Sequence, residues 1–173
     1  LFHVAIGLLH FFGYRLPPTH QWHLLSQSFS DFWRRTNTYW KDFNQKFVFS
    51  PLAAAFERRI QRGSLQLAVF LSLMISWAIH SYQFFWLIGR PLLDVRDALF
   101  WAILAVAMVV STSRELGRRT PLGLGPKRVP STGERVHEGL KTLVFFTTIT
   151  LLWSFWSAPS WADWLRALSL GRS

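Results

Sequence analysis

The sequence predicts an all-α, polytopic integral membrane protein with about three full spans, one partial span and interfacial amphipathic helices. Three observations carry this expectation. The chain is 50% hydrophobic and 17% aromatic, and its apolar residues are bunched into runs that approach bilayer thickness. Basic residues lie mainly between those runs, as in membrane loops. One ionisable residue, His80, sits inside the longest run, where a charge is costly and marks a candidate functional site.

Taken in order, residues 1–14 read as a partial span, the tail of a helix that begins before Leu1, and Pro17-Pro18 ends it. Residues 19–27 form a connection. Over residues 28–49, Phe29, Phe32, Trp33, Thr36, Trp40, Phe43 and Phe47 recur near one helical face, with Arg34, Arg35, Lys41, Asp42 and Lys46 off it. Such a basic, aromatic helix is expected in the interface plane, with Asn37 and Asn44 at the edges of its stripe. Pro51 is expected to bound it, and a short helix over 53–62 to complete a cytoplasmic amphipathic segment, residues 28–62. Residues 65–88 are the clearest span; residues 98–112 are a short one, marginal outside a bundle, and 140–158 a third. Residues 114–139 read as a Gly/Pro-rich loop, and 160–170 as an amphipathic tail. All 173 residues are expected to form a single membrane domain.

Charge orients this layout. Residues 15–63 hold Arg15, Arg34, Arg35, Lys41, Lys46, Arg58, Arg59 and Arg62; residues 114–141 hold most of the remaining basic side chains. Three spans put both groups on one side, so 15–63 and 113–139 are expected to be cytoplasmic. The net charge of +10 therefore reads as loop charge, and no signature of nucleic-acid binding accompanies it. Cysteine is absent, which excludes disulfides, a thiolate nucleophile and cysteine-ligated zinc. His20 and His23, at i and i+3 in a Pro-bounded loop without nearby acids, do not argue for a metal, nor do His3 and His10, which share a helical face, argue for a haem.

The run Ser28-Phe29-Ser30-Asp31-Phe32-Trp33-Arg34-Arg35 resembles the signature of the membrane-bound O-acyltransferase family, in its bacterial branch that O-acylates cell-envelope polymers such as alginate and teichoic acid. Phe47-Val48-Phe49-Ser50-Pro51-Leu52 is similar to the extended stretch ending in Pro-Leu that follows there. His80 then stands where the family's invariant histidine does, and Leu151–Ala158 resembles the closing Trp-x-Phe-Phe-x-Ala pattern. The likeness runs through about residue 170 and covers the C-terminal portion of the family fold. Thr36-Asn37 stands where the bacterial branch has Trp-His, and Trp77-Ala78-Ile79-His80-Ser81 departs from Trp-His-Gly. Asn at that position is similar to the branch that acylates sterols, diacylglycerol and proteins.

The resemblance implies transfer of an acyl group, plausibly acetyl, from a cytoplasmic thioester to a hydroxyl of a surface polysaccharide or lipid, in a bacterial inner membrane. His80 would be the base that takes the hydroxyl proton, and Asn37 its partner, orienting the imidazole or donating to the oxyanion. Arg34, Arg35 and Lys41 could meet the phosphates of acyl-CoA or of an acyl-carrier thioester, the co-substrate; no bound cofactor or metal is expected. Expected partners are the bilayer, an acyl carrier or envelope-polymer export proteins, and no nucleic acid. The departures at 36–37 and 77–81 favour the alternative: a catalytically inactive, structural subunit of a larger membrane complex.

Overall fold

The computed structural model describes residues 2–60, 62–89, 94–117 and 131–169. Among them every regular element is helical: α1 (Phe2–Phe11), a 3-10 turn (His23–Leu25), α2 (Phe29–Arg35), α3 (Thr38–Asn44), a π-turn (Gln45–Phe49), α4 (Ser50–Glu57), α5 (Ser64–Ile88), α6 (Val95–Gly117), α7 (Thr132–Ser157) and α8 (Trp161–Ser169). Helices α5, α6 and α7, with 25, 23 and 26 residues, are each long and apolar enough to cross a bilayer. The all-α class and the three spans follow the sequence.

Two spans are longer than their apolar cores. Helix α6 begins before the run at 98–112 because Asp97 is buried in the bundle and the Arg96 guanidinium bonds the Ala158 carbonyl at the end of α7. At the other end Glu115 is held by Arg34 at 3.0 Å. Helix α7 begins at Thr132, inside the stretch expected to be a loop. Ser131 and Glu134 form a capping box there, each satisfying the other's backbone amide.

The amphipathic segment departs most from expectation. It is cut at Thr36-Asn37, where Thr36 is extended and Asn37 is left-handed, φ 41°. Ser28 Oγ accepts from the Asp31 amide at the start of α2, and Asn37 Oδ1 from the Trp40 amide at the start of α3. Asn is among the few residues that tolerate this backbone, so two N-caps divide one continuous stripe. Pro51, by contrast, does not end a helix. The π-turn ahead of it re-routes the bonding, and Ser50 gives both its amide and its hydroxyl to the Gln45 carbonyl. Helix α4 then stops at Glu57, short of the expected 62.

Helix α2 packs its aromatic side into the bundle. Phe29 and Phe32 contact Phe145 of α7, with ring centroids 5.1 and 5.7 Å apart, and Trp33 packs on Val69, Leu73 and Ala105. Its small polar side takes α6: the amide and hydroxyl of Ser30 both reach Ser111 Oγ. Farther on the segment turns over. Phe43 and Phe47 are exposed and tilt against each other at 5.2 Å, while Asn44 is buried.

Asn44 Nδ2 donates to the Ser72 carbonyl at 3.2 Å and to Ser76 Oγ at 2.6 Å, and Ser76 Oγ donates to the Ser72 carbonyl at 2.9 Å. Within hydrocarbon such groups find partners only inside the protein. Asn44→Ala is expected to lower stability by about 1 kcal/mol, the usual size of an interhelical hydrogen bond in a membrane. Asn44→Asp should lower it further, because a carboxylate would face the Ser72 carbonyl with no donor. Thermal unfolding in detergent micelles checks both, and equal midpoints for wild type and N44D would refute the assignment.

Candidate functional site

Helix α5 carries His80 about 12 Å from the helix end at Ile88, at 1.5 Å per residue, and so within the span. The imidazole is half-buried between Phe84, one turn along the same helix, and Trp101 of α6; the ring centroids are 5.3 and 5.7 Å away. Helix α6 runs antiparallel to α5, which brings the first turn of α6 alongside the last turns of α5.

That turn holds Asp97, 5% exposed. Its two carboxylate oxygens are taken by two indoles from two different spans. Trp77 Nε1 of α5 donates to Oδ2 at 2.5 Å, and Trp156 Nε1 of α7 donates to Oδ1 at 2.8 Å. Phe100 stacks on Trp156 at 4.7 Å, with planes 17° apart. A carboxylate in a helix's first turn also meets the positive end of the helix dipole. Asp97 thus lies one turn of α6 from Trp101 and is held by Trp77, one turn of α5 from His80. The carboxylate and the imidazole lie at one aromatic cluster where all three spans meet. Trp101 Nε1 is buried there without an acceptor among the described residues.

The other residues singled out in the sequence lie elsewhere. Asn37 caps α3 with its side chain, and its backbone amide donates to His20 Nδ1 at 3.1 Å. The asparagine that reaches α5 is Asn44, bonded to Ser76, one turn before His80. Each basic candidate has a carboxylate of its own chain: Arg34 pairs with Glu115, Arg35 with Asp31 at 2.8 Å, and Lys41 with Asp42 at 2.8 Å. His20 and His23 stand 4.8 Å apart, and burial beside Phe32 lowers the His23 pKa from its ordinary value. His10 Nε2 lies within hydrogen-bond distance of the Leu16 backbone. The side chain of His3 lies outside the described residues.

The sequence offered one faint sign of Asp97, an acid opening the apolar run of α6. Its indole partners are 20 and 59 residues away, and nothing in their local context marks them. No protein-family model and no curated protein matches the chain.

Asp97→Ala would leave two half-buried indole N–H groups unpaired and should lower stability by about 2 kcal/mol. Asp97→Asn should also destabilise, since its amide nitrogen would face one indole donor with another donor. Asp94→Asn, at an exposed neighbour, should leave the midpoint nearly unmoved. Thermal unfolding followed by near-UV dichroism of the tryptophans tests the set; parity between D97A and D94N would refute the clamp.

Proposed function

We propose that this chain is the catalytic C-terminal portion of a membrane O-acyltransferase, moving an acyl group from a thioester to a hydroxyl of an envelope polysaccharide or lipid. One observation carries the reading: His80, inside a span, is set against Trp101 in the aromatic cluster whose indoles hold the buried Asp97. An imidazole held at membrane depth with a carboxylate in the same cluster suits a general base. The acceptor hydroxyl attacks the thioester carbonyl as His80 takes its proton. A carbon–oxygen bond forms, the carbon–sulfur bond breaks, and the proton passes to the leaving thiolate. Asp97 favours the transient imidazolium by its charge.

The basic segments are assigned to the cytoplasm, where a thioester donor such as acyl-CoA or an acyl carrier resides, and the membrane is taken to be a bacterial inner membrane. Arg34, Arg35 and Lys41 would have to exchange carboxylate partners to bind donor phosphates. That requirement, with Asn37 engaged as a helix cap, favours a second reading: an inactive subunit that packs in a larger membrane complex.

The two readings separate in proteoliposomes of the full gene product supplied with labelled acetyl-CoA and a hydroxyl-rich acceptor. Catalysis predicts transfer by wild type, a fall on the order of 10²- to 10⁴-fold in His80→Ala, and unchanged unfolding of the variant. No transfer by wild type leaves the structural reading, and full activity in H80A removes His80 as the base.

A further inference from the structure

Away from the His80 pocket, α6 and α7 enclose a second feature at their opposite ends. Near Asp97 the two helices touch through Trp156 and Phe100. At the Gly117 and Thr132 ends they flank a cavity of about 730 Å³, with the start of α2 at its side. Its mouth carries Arg114 from α6 and His137 and Lys141 from α7, the latter two one helical turn apart on one face. All three are exposed, and none has a hydrogen-bond or ion-pair partner among the described residues. The one acid among the described lining residues, Glu115, is already engaged, with Arg34 on both oxygens and Ser28 and Ser30 on Oε1. Among the described residues the mouth is therefore a cationic site with no acid left to neutralise it.

Behind the charges the lining becomes apolar. Val110, Leu140, Val144 and Phe145 continue the same two helical stripes toward Ala107 and Thr148. From Lys141 to Thr148 this wall runs about 10 Å along the helix axis. Val110, Leu140 and Val144 are exposed large hydrophobics on helices that cross the bilayer, so the cleft opens toward lipid. A soluble anion would use only the mouth. An amphiphile with an anionic head would use both parts.

We infer that this cleft binds an anionic phospholipid of the surrounding leaflet, with its phosphate at Arg114, Lys141 and His137 and the upper part of one acyl chain along Val110, Leu140 and Val144. Basic pockets between spans at a membrane surface suit such headgroups. The site does not depend on the acyl-transfer reading, since no group of the His80 pocket takes part.

Native mass spectrometry of the full chain in detergent, titrated with phosphatidylglycerol or phosphatidylcholine, tests it. Wild type should retain phosphatidylglycerol in preference to phosphatidylcholine. The pair R114Q/K141Q should weaken phosphatidylglycerol binding by roughly fivefold per charge removed and leave phosphatidylcholine unchanged. V144W, which keeps the charges and fills the wall, should also weaken it. The control pair R58Q/R59Q should not. The inference fails if both lipids bind alike, if the control pair is as damaging as R114Q/K141Q, or if V144W binds as wild type does. It also fails if millimolar inorganic phosphate displaces the lipid, since the site would then be one for a free anion.

Discussion

Apolar helices in a bilayer have little hydrophobic reason to choose one another, because lipid tails are as apolar as their own side chains. What selects the neighbours of α5, α6 and α7 is chiefly the Asp97 carboxylate. It gives one oxygen to an indole on each flanking helix, so its burial is tolerable only when both flanking helices are in place. Other features of that end follow from this choice. The stacking of Phe100 on Trp156 and the reach of Arg96 to the Ala158 carbonyl both need α7 held against the first turn of α6. His80 meets Trp101 because α5 is held against the same turn.

The opposite end uses the same logic with different chemistry. There α2 separates α6 from α7, and its aromatic side packs on Phe145 while Ser30 bonds Ser111. Of the hydropathic window in α7, only 17% is buried within the protein, against 33% for α5 and for α6. Helix α7 is thus tied at Asp97 and through α2, and much of its remaining length faces lipid.

How much of this could be read from the residues alone depends on the range of the interaction. The spans were legible because mean apolarity over some twenty residues is a local property. His80 was legible as an ionisable group inside such a run. Asn44, at the edge of an aromatic stripe, was legible as a residue free to turn inward. The helix break at Thr36-Asn37 and the early start of α7 rest on short caps, Asn37 on the Trp40 amide and the Ser131-x-x-Glu134 box, that the longer periodic and compositional signals masked. Asp97 was not legible as a pocket residue. Its role exists only once Trp77 and Trp156 arrive from other helices, and many tryptophans in a membrane chain are equally plausible as interface anchors.

The π-turn at Gln45–Phe49 couples two faces that an unbroken α-helix would set differently. Each residue advances an α-helix by about 100°, and a π-turn accommodates one residue more than the regular count. Asn44 therefore points at Ser72 and Ser76 while α4, beyond Pro51, packs along α5 in a phase of its own. Removing one residue from this turn would preserve helix, composition and hydropathy and yet rotate the amide out of the bundle. The segment is tuned to a residue count as much as to residue identity, so its length should resist change even where its side chains can vary.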